Sequence, residues 1–130
     1  MFEADLIPII CAMLLGGAPE QRVTYDIHEG LQSVRVDCIT EAFAIEIGLD
    51  GRRSSYDSVH QAIFYGYLTE RAPMVIMVDT DGIEDNTEYQ VRTVAQALGV
   101  AYQVYDVDFL LRYQMTSYLR ARRNPAPLSH

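Results

Sequence analysis

Two acids stand inside runs that otherwise read as strand: Asp37 in Val36-Asp37-Cys38 and Glu46 in Ala44-Ile45-Glu46-Ile47. A carboxylate there needs a reason, because burial penalises its charged form. Two hard oxygen ligands converging beside open space suit Mg²⁺ or Mn²⁺, which retain several waters and are commonly completed by a phosphate substrate. The plainer explanation is an exposed sheet face whose acids meet water or Arg35. Gln61 and Tyr65 follow at helical spacing, so they share one face one turn apart. An amide and a phenol beside two carboxylates could hold a phosphate or a water, although singly such residues are more often a half-exposed helix face.

The elements that must position these groups follow from periodicity and punctuation. Leu6 to Leu15 is continuously apolar and stops at Gly16-Gly17, which predicts a buried first helix, with Pro8 tolerable only in its first turn. Glu20–Ile27 and Leu31–Ile39 alternate as strands around a His28-Glu29-Gly30 turn, and Ala42–Leu49 forms a third strand after Thr40-Glu41. If Thr40-Glu41 is a two-residue hairpin loop, Ile39 pairs with Ala42 and Asp37 with Ala44. Glu46 is then diagonal to Asp37 on the same face, roughly 7 to 8 Å away at the backbone. This register shares Arg35, Asp37, Ala44, Glu46 and Gly48 on one face and leaves Val34, Val36, Cys38, Phe43, Ile45, Ile47 and Leu49 on the other.

Ser54 or Ser55 can cap a second helix running to about Thr69, with Tyr56, Val59, Ile63 and Tyr67 near helical spacing. Pro73–Val78 is a solid apolar run, as expected of a strand buried on both faces at the sheet centre. Asp85 and Glu88 resemble a capping box for a helix whose Val91, Val94, Ala95 and Leu98 share a face. A short strand, Ala101–Tyr105, leads to a last helix from Asp106 or Asp108. The predicted fold is a single α/β domain over residues 1–123, order α-β-β-β-α-β-α-β-α with a mixed central sheet, followed by a tail at 124–130.

Composition limits the options further. At 130 residues the chain can close one hydrophobic core. No stretch is long and apolar enough for a membrane span, and no signal peptide is expected. Cys11 and Cys38 lack metal or redox spacing and read as buried, reduced thiols, hence a cytoplasmic protein. All ten basic residues are arginine against eighteen acids, for a formal charge of −8, which argues against a simple nucleic-acid coat. After Asp108 there is no further acid, while Arg112, Arg120, Arg122 and Arg123 remain. These either complement helix dipoles or form a phosphate-contacting patch. Tyr113 and Tyr118 leave a homodimer contact open.

Asp37, then Glu46 in Ala-Ile-Glu-Ile, then Gln61-x-x-x-Tyr65 resembles the PD-(D/E)xK nuclease superfamily, in the branch with a Q-x-x-x-Y helix after the catalytic strand. Gly16-Gly17-x-x-Glu20 and Arg35-Val36-Asp37-Cys38-Ile39-Thr40 look like small nuclease-like proteins of bacterial and phage genomes. The resemblance covers roughly residues 10 to 80. It implies a restriction-endonuclease-like fold and Mg²⁺- or Mn²⁺-dependent hydrolysis of DNA phosphodiesters, with Asp37, Glu46 and the Ile47 carbonyl as metal ligands. Such nucleases place a lysine two residues after the glutamate. Here that position is Gly48 and the chain has no lysine.

Arg52 or Arg53 at the start of the next helix could take over part of the lysine's role by holding a phosphate or orienting water. With a pKa above about 12 neither can act as a general base. Gly48→Lys is expected to restore or raise cleavage. Asp79 and Asp81 read as turn residues, with a metal role the less simple option. Beside the nuclease reading stand a nuclease-fold protein that no longer cleaves, serving as a DNA-binding or assembly module, and a plain α/β interaction domain.

Overall fold

The computed structural model describes residues 3–123, except for the side chains of 4 and 121–123. The tail beginning at Asn124 and the side chains of Arg122 and Arg123 therefore lie outside the described residues. One mixed five-stranded sheet, order β1-β2-β3-β4-β5, is built from β1 (Ala18–Ile27), β2 (Gly30–Ile39), β3 (Phe43–Leu49), β4 (Ala72–Asp79) and β5 (Ala101–Asp106). The first three strands are antiparallel, and β3, β4 and β5 run parallel. The helices are α1 (Glu3–Pro8), α2 (Ser58–Thr69), α3 (Asn86–Ala97), α4 (Val107–Met115) and α5 (Ser117–Arg123). This is the predicted α/β order with its mixed sheet. β4 is buried on both faces as expected, although it lies between β3 and β5 and the middle strand is β3.

Each sheet face has its own core. Leu6, Ile10, Cys11, Cys38, Ile45, Ile47, Leu49, Ile76 and Leu110 pack the first helix and α4 against one face. Val59, Ala62, Val75, Met77, Val91 and Ala95 pack α2 and α3 against the other. The first helix begins at Glu3, so Pro8 closes α1 instead of opening it, and the chain continues as a π-helix over Ile9–Leu14. Proline lacks an N–H and crowds the carbonyl four residues back, and the wider turn after it accommodates both.

Several sequence expectations are corrected. Cys11 and Cys38 are joined in a disulfide between the π-helix and β2, so they are not reduced thiols and the cytoplasmic expectation loses its premise. A Cβ at Gly17 would lie 2.8 Å from the Cys38 Sγ, which is why glycine sits beside the bridge. Among the described residues no helix is long and apolar enough to cross a membrane. Ser54 and Ser55 do not cap α2. A 3₁₀ turn over Arg53–Asp57 precedes that helix, and the Ser55 hydroxyl donates to the Leu49 carbonyl at 2.7 Å. The buried face of α2 is Val59, Ala62, Tyr65 and Gly66, leaving Tyr56, Ile63 and Tyr67 exposed. On α3, Val94 and Leu98 are exposed while Val91 and Ala95 are buried. The capping box is present, with Asp85 accepting from Glu88 N–H and Glu88 from Asp85 N–H. The last helix divides at Thr116, whose hydroxyl bonds the Arg112 carbonyl and competes with the helical ladder.

Candidate metal centre

The reversal between β2 and β3 is centred on Glu41-Ala42, one residue later than predicted. Thr40 fixes it: its N–H donates to the Phe43 carbonyl and its hydroxyl accepts the Phe43 N–H at 3.0 Å. The register slides by two residues, giving Cys38↔Ile45 and Ile39↔Ala44. One step further on, Asp37 stands opposite Glu46 instead of diagonal to it, where facing side chains start about 5 Å apart.

No further β2–β3 pair follows, and the strands part at the two acids. On the other side, the β1–β2 pairs run Ala18↔Ile39 and Pro19↔Cys38, then resume at Gln21↔Val36, passing over Glu20 and Asp37. Glu20 has a positive φ of 53°. The strand turns over at this point. Val34 and Val36 pack with Ala44 and Tyr65, whereas Cys38 packs with Ile45 and Ile47 on the opposite face. The predicted single apolar face therefore holds for Cys38 onward and fails for Val34 and Val36.

Asp37 occupies the gap. Its Oδ2 accepts the Ile47 N–H at 2.9 Å, replacing the missing ladder bond. A strand residue's N–H and C=O point to the same side, so the Ile47 carbonyl also faces the gap, as a third oxygen ligand requires. Glu3, from the first turn of α1, completes the group. Ligand oxygens of Glu3, Asp37 and Glu46 all lie within 4.8 Å of one another, and all three residues are partly buried.

The electrostatics follow from this crowding. Burial raises the Glu46 carboxyl far above the carboxylate range, and the Asp37 and Glu3 charges push it further. Burial also raises Asp37, while the Ile47 N–H, the bond to Glu46 and the Arg35 charge oppose the rise. Glu3 is raised by burial and by Asp37, against the pull of Arg52. With no cation bound, burial favours the protonated form of Glu46 beside Asp37, and the buried Glu46 Oε2 has no hydrogen-bond partner. A buried acceptor without a donor is costly. Together with the Glu3 and Asp37 oxygens, Glu46 forms a set of three that could hold a cation.

A cavity of about 180 Å³ opens beside Glu46, lined by Glu3, Gly48, Ser55, Ser58 and Gln61 among others. Gln61 thus reaches the site as the sequence suggested. Tyr65 is buried next to it, its phenol pushed up to about 12 by burial and then by the Glu46 and Asp37 charges. Arg52 and Arg53 are exposed, and the Arg52 charge reaches Glu3. Arg112 is exposed on α4. Arg120 folds back onto its own helix pair, donating to the Tyr113 carbonyl and the Thr116 hydroxyl with its guanidinium over the Tyr113 ring.

The space beside position 48, where the resemblance would put a lysine, is filled. A Cβ at Gly48 would stand 2.9 Å from the Ser55 hydroxyl and 3.2 Å from that of Ser58. Ser55 is held there by its bond to the Leu49 carbonyl, so a lysine at 48 cannot enter without displacing it.

Glu3 is the residue that sequence reasoning missed. The apolar run begins at Leu6, which hid the helical turn before it; a signal was the pair of acids, Glu3 and Asp5, suited to a helix N-terminus.

A second acidic group, Asp50, Asp79 and Asp81, lies at the carboxyl ends of β3 and β4. Four of its oxygens accept hydrogen bonds from the adjoining turn. Asp50 accepts the Thr80 N–H and hydroxyl, Asp79 the N–H groups of Asp81 and Gly82, and Asp81 that of Ile83. Turn chemistry accounts for Asp79 and Asp81, as the sequence suggested.

Compared with protein-family models, curated proteins and solved structures, the chain has no significant match. The resemblance to PD-(D/E)xK nucleases rests on the residues themselves.

Proposed function

We propose that the chain is a divalent-metal-dependent DNA phosphodiester hydrolase of the PD-(D/E)xK type, centred on Glu3, Asp37 and Glu46. The observation that carries this reading is the buried, unpartnered Glu46 Oε2 within a group of three carboxylates beside an open cavity. Mg²⁺ or Mn²⁺, when bound, supplies Lewis acidity toward a phosphoryl oxygen and a nucleophile at neutral pH. The chain's own residues supply the rest. Asp37 is aimed by the Ile47 N–H, Gln61 can donate to a phosphate oxygen in the cavity, and Arg52 neutralises charge at the Glu3 side. Tyr65 stays protonated and can donate.

A specific observation favours a second reading, a nuclease-fold protein that binds DNA or a partner without cleaving. The lysine's place holds Ser55, and neither arginine can accept a proton from water. One experiment separates the two: Mn²⁺ calorimetry beside cleavage of supercoiled and single-stranded DNA. The first reading expects metal binding and Mn²⁺-dependent nicking, with both lost in Glu46→Gln. Metal binding with neither DNA cut supports the second reading. Equal affinity in wild type, Asp37→Asn and Glu46→Gln removes the metal centre and both readings of it.

A further inference from the structure

We propose that Arg22 and Arg35 form a two-pronged seat for a DNA backbone phosphate on the open face of the β1–β2 ribbon, beside the carboxylate centre. The proposal rests on reading that centre as a phosphodiester site, and it assigns the contact that holds the adjacent phosphate.

Beyond Asp37 the two strands leave the sheet. β2 touches β3 through Cys38 and Ile39, but its pairing with β1 continues to Ile27↔Gly30. One face of this ribbon is covered: Val23 and Val34 pack toward Tyr65, and Tyr25 meets the Phe64 ring edge-on at 5.1 Å. Alternation sends the intervening residues to the opposite face. There Arg22 and Arg35 are direct cross-strand partners, and the next rung is Thr24↔Ser33, all four exposed.

Like charges facing each other across a ladder destabilise it. The chain has eighteen acids with which to relieve such a pair. Yet among the described residues neither arginine makes an ion pair or a side-chain hydrogen bond; the ion pair present is Arg92 with Glu84. Two guanidinium forks with a hydroxyl rung beside them match the several acceptors of a phosphate. Arg22, Thr24 and Ser33 line one shallow depression.

Position selects the ligand. Arg35 is two residues from Asp37, where the strand turns over, and its charge is felt at that carboxylate. Proximity to that carboxylate is what makes the pair a seat for DNA held at the carboxylate centre. In a chain of net charge −8, a local cationic seat is also what would hold a polyanion near an acidic pocket.

The test is binding of a short labelled DNA, as duplex and as single strand, in Ca²⁺ over a range of salt concentrations. The expected result for Arg22→Gln/Arg35→Gln is at least a tenfold loss of affinity, with the duplex salt slope smaller by about two. Arg92→Gln, whose guanidinium sits on α3 with Glu84, should move neither. Because the arginines repel, the double variant should melt no lower than wild type; a lowered melting temperature would make them ribbon-stabilising residues and overturn the proposal. Unchanged affinity and slope, or no DNA binding by wild type, would also overturn it. Cleavage in Mn²⁺ is read separately. Wild type that binds through the pair but does not cut keeps the seat and removes the nuclease reading; wild type that cuts while the double variant binds unchanged does the reverse.

Discussion

The two acidic groups contain the same chemistry and differ in what their oxygens touch. Asp79 and Asp81 accept backbone N–H groups of their own turn, and Asp50 accepts the N–H and hydroxyl of Thr80, so their charge is used to hold β3 and β4 to the loop that follows. Glu3, Asp37 and Glu46 come from three separate elements, receive one backbone N–H between Asp37 and Ile47, and leave a buried oxygen without a donor. Clustering alone therefore says little about a metal. The unmet acceptor is what separates a loop brace from a candidate centre, and each difference can be tested by the same kind of substitution in both places.

The largest expected effect comes from the disulfide, which ties the helix carrying Glu3 to the strand carrying Asp37 across a separation of 27 residues. Replacing both cysteines by serine should cost about 3.5 kcal/mol on the loop-closure model, read as a lower denaturant midpoint. It should also weaken Mn²⁺ binding, because Glu3 is then less firmly placed. The Asp50 group does not depend on the bridge. Equal metal affinity in the oxidised and serine forms would mean that α1 finds its place without it.

Next is the effect on the metal. Glu46→Gln should lower Mn²⁺ affinity by about a hundredfold, roughly 2.7 kcal/mol, whereas Asp79→Asn should leave it unchanged. Binding to wild type should release a proton, because burial favours the protonated form of Glu46 when no cation is bound. Calorimetry in buffers of different ionisation enthalpy counts it. A proton-free titration, or equal losses in Glu46→Gln and Asp79→Asn, would erase the distinction between the groups.

Stability should respond with opposite signs. Glu46 is raised by burial, so at neutral pH the folded protein gains from a neutral isostere, and metal-free Glu46→Gln should melt higher than wild type. Asp50→Asn keeps one acceptor where two were used by Thr80, and should cost about 1 to 2 kcal/mol. Thermal melts in EDTA compare them directly. If both substitutions lower the melting temperature, Glu46 is bracing the fold as Asp50 does.

Much of this was legible in the chain. Asp37 and Glu46 announced themselves as acids inside apolar runs, Gln61 was placed by helical spacing, and Asp85 with Glu88 by the capping pattern. What was hidden has physical reasons. A slip of two residues preserves alternation, so the hydrophobic pattern cannot tell Asp37 opposite Ala44 from Asp37 opposite Glu46. The turning-over of β2 at Asp37 coincides with the positive φ of Glu20 and with an acid that replaces a ladder bond, neither of which has a periodic signature. Glu3 and the Cys11–Cys38 bridge are contacts across the sheet, set by where the first helix docks. The occupied space at Gly48 is set by Ser55 turning inward to the Leu49 carbonyl. For that reason the expectation that Gly48→Lys restores cleavage needs amending, and the substitution should first be paired with Ser55→Gly.

The smallest expected effect sharpens the comparison from the loop side. Glu88 is 1% exposed and caps α3 through the Asp85 N–H, yet its Oε1 also lacks a partner. Burial, with the Asp79, Asp50 and Asp85 charges, pushes its carboxyl up to about 7 despite the Asp85 N–H. Between the ordinary glutamate value of 4.5 and 7 the unfolded chain has lost this proton while the folded one keeps it. Stability should therefore be full below that window, fall as pH rises through it, and level off above. The shift sets a ceiling of about 3 kcal/mol; partial screening where the acidic loop meets solvent brings the expected change nearer 1 kcal/mol. Glu88→Gln keeps the acceptor for the cap and presents an amide to the neighbouring carboxylates, so it should flatten the profile. Denaturant melts of both proteins across the window measure the difference. A wild-type profile that is flat there, or that rises with pH, would mean Glu88 is already ionised, its charge met by the capping bond, and would place it with the satisfied acids of its loop.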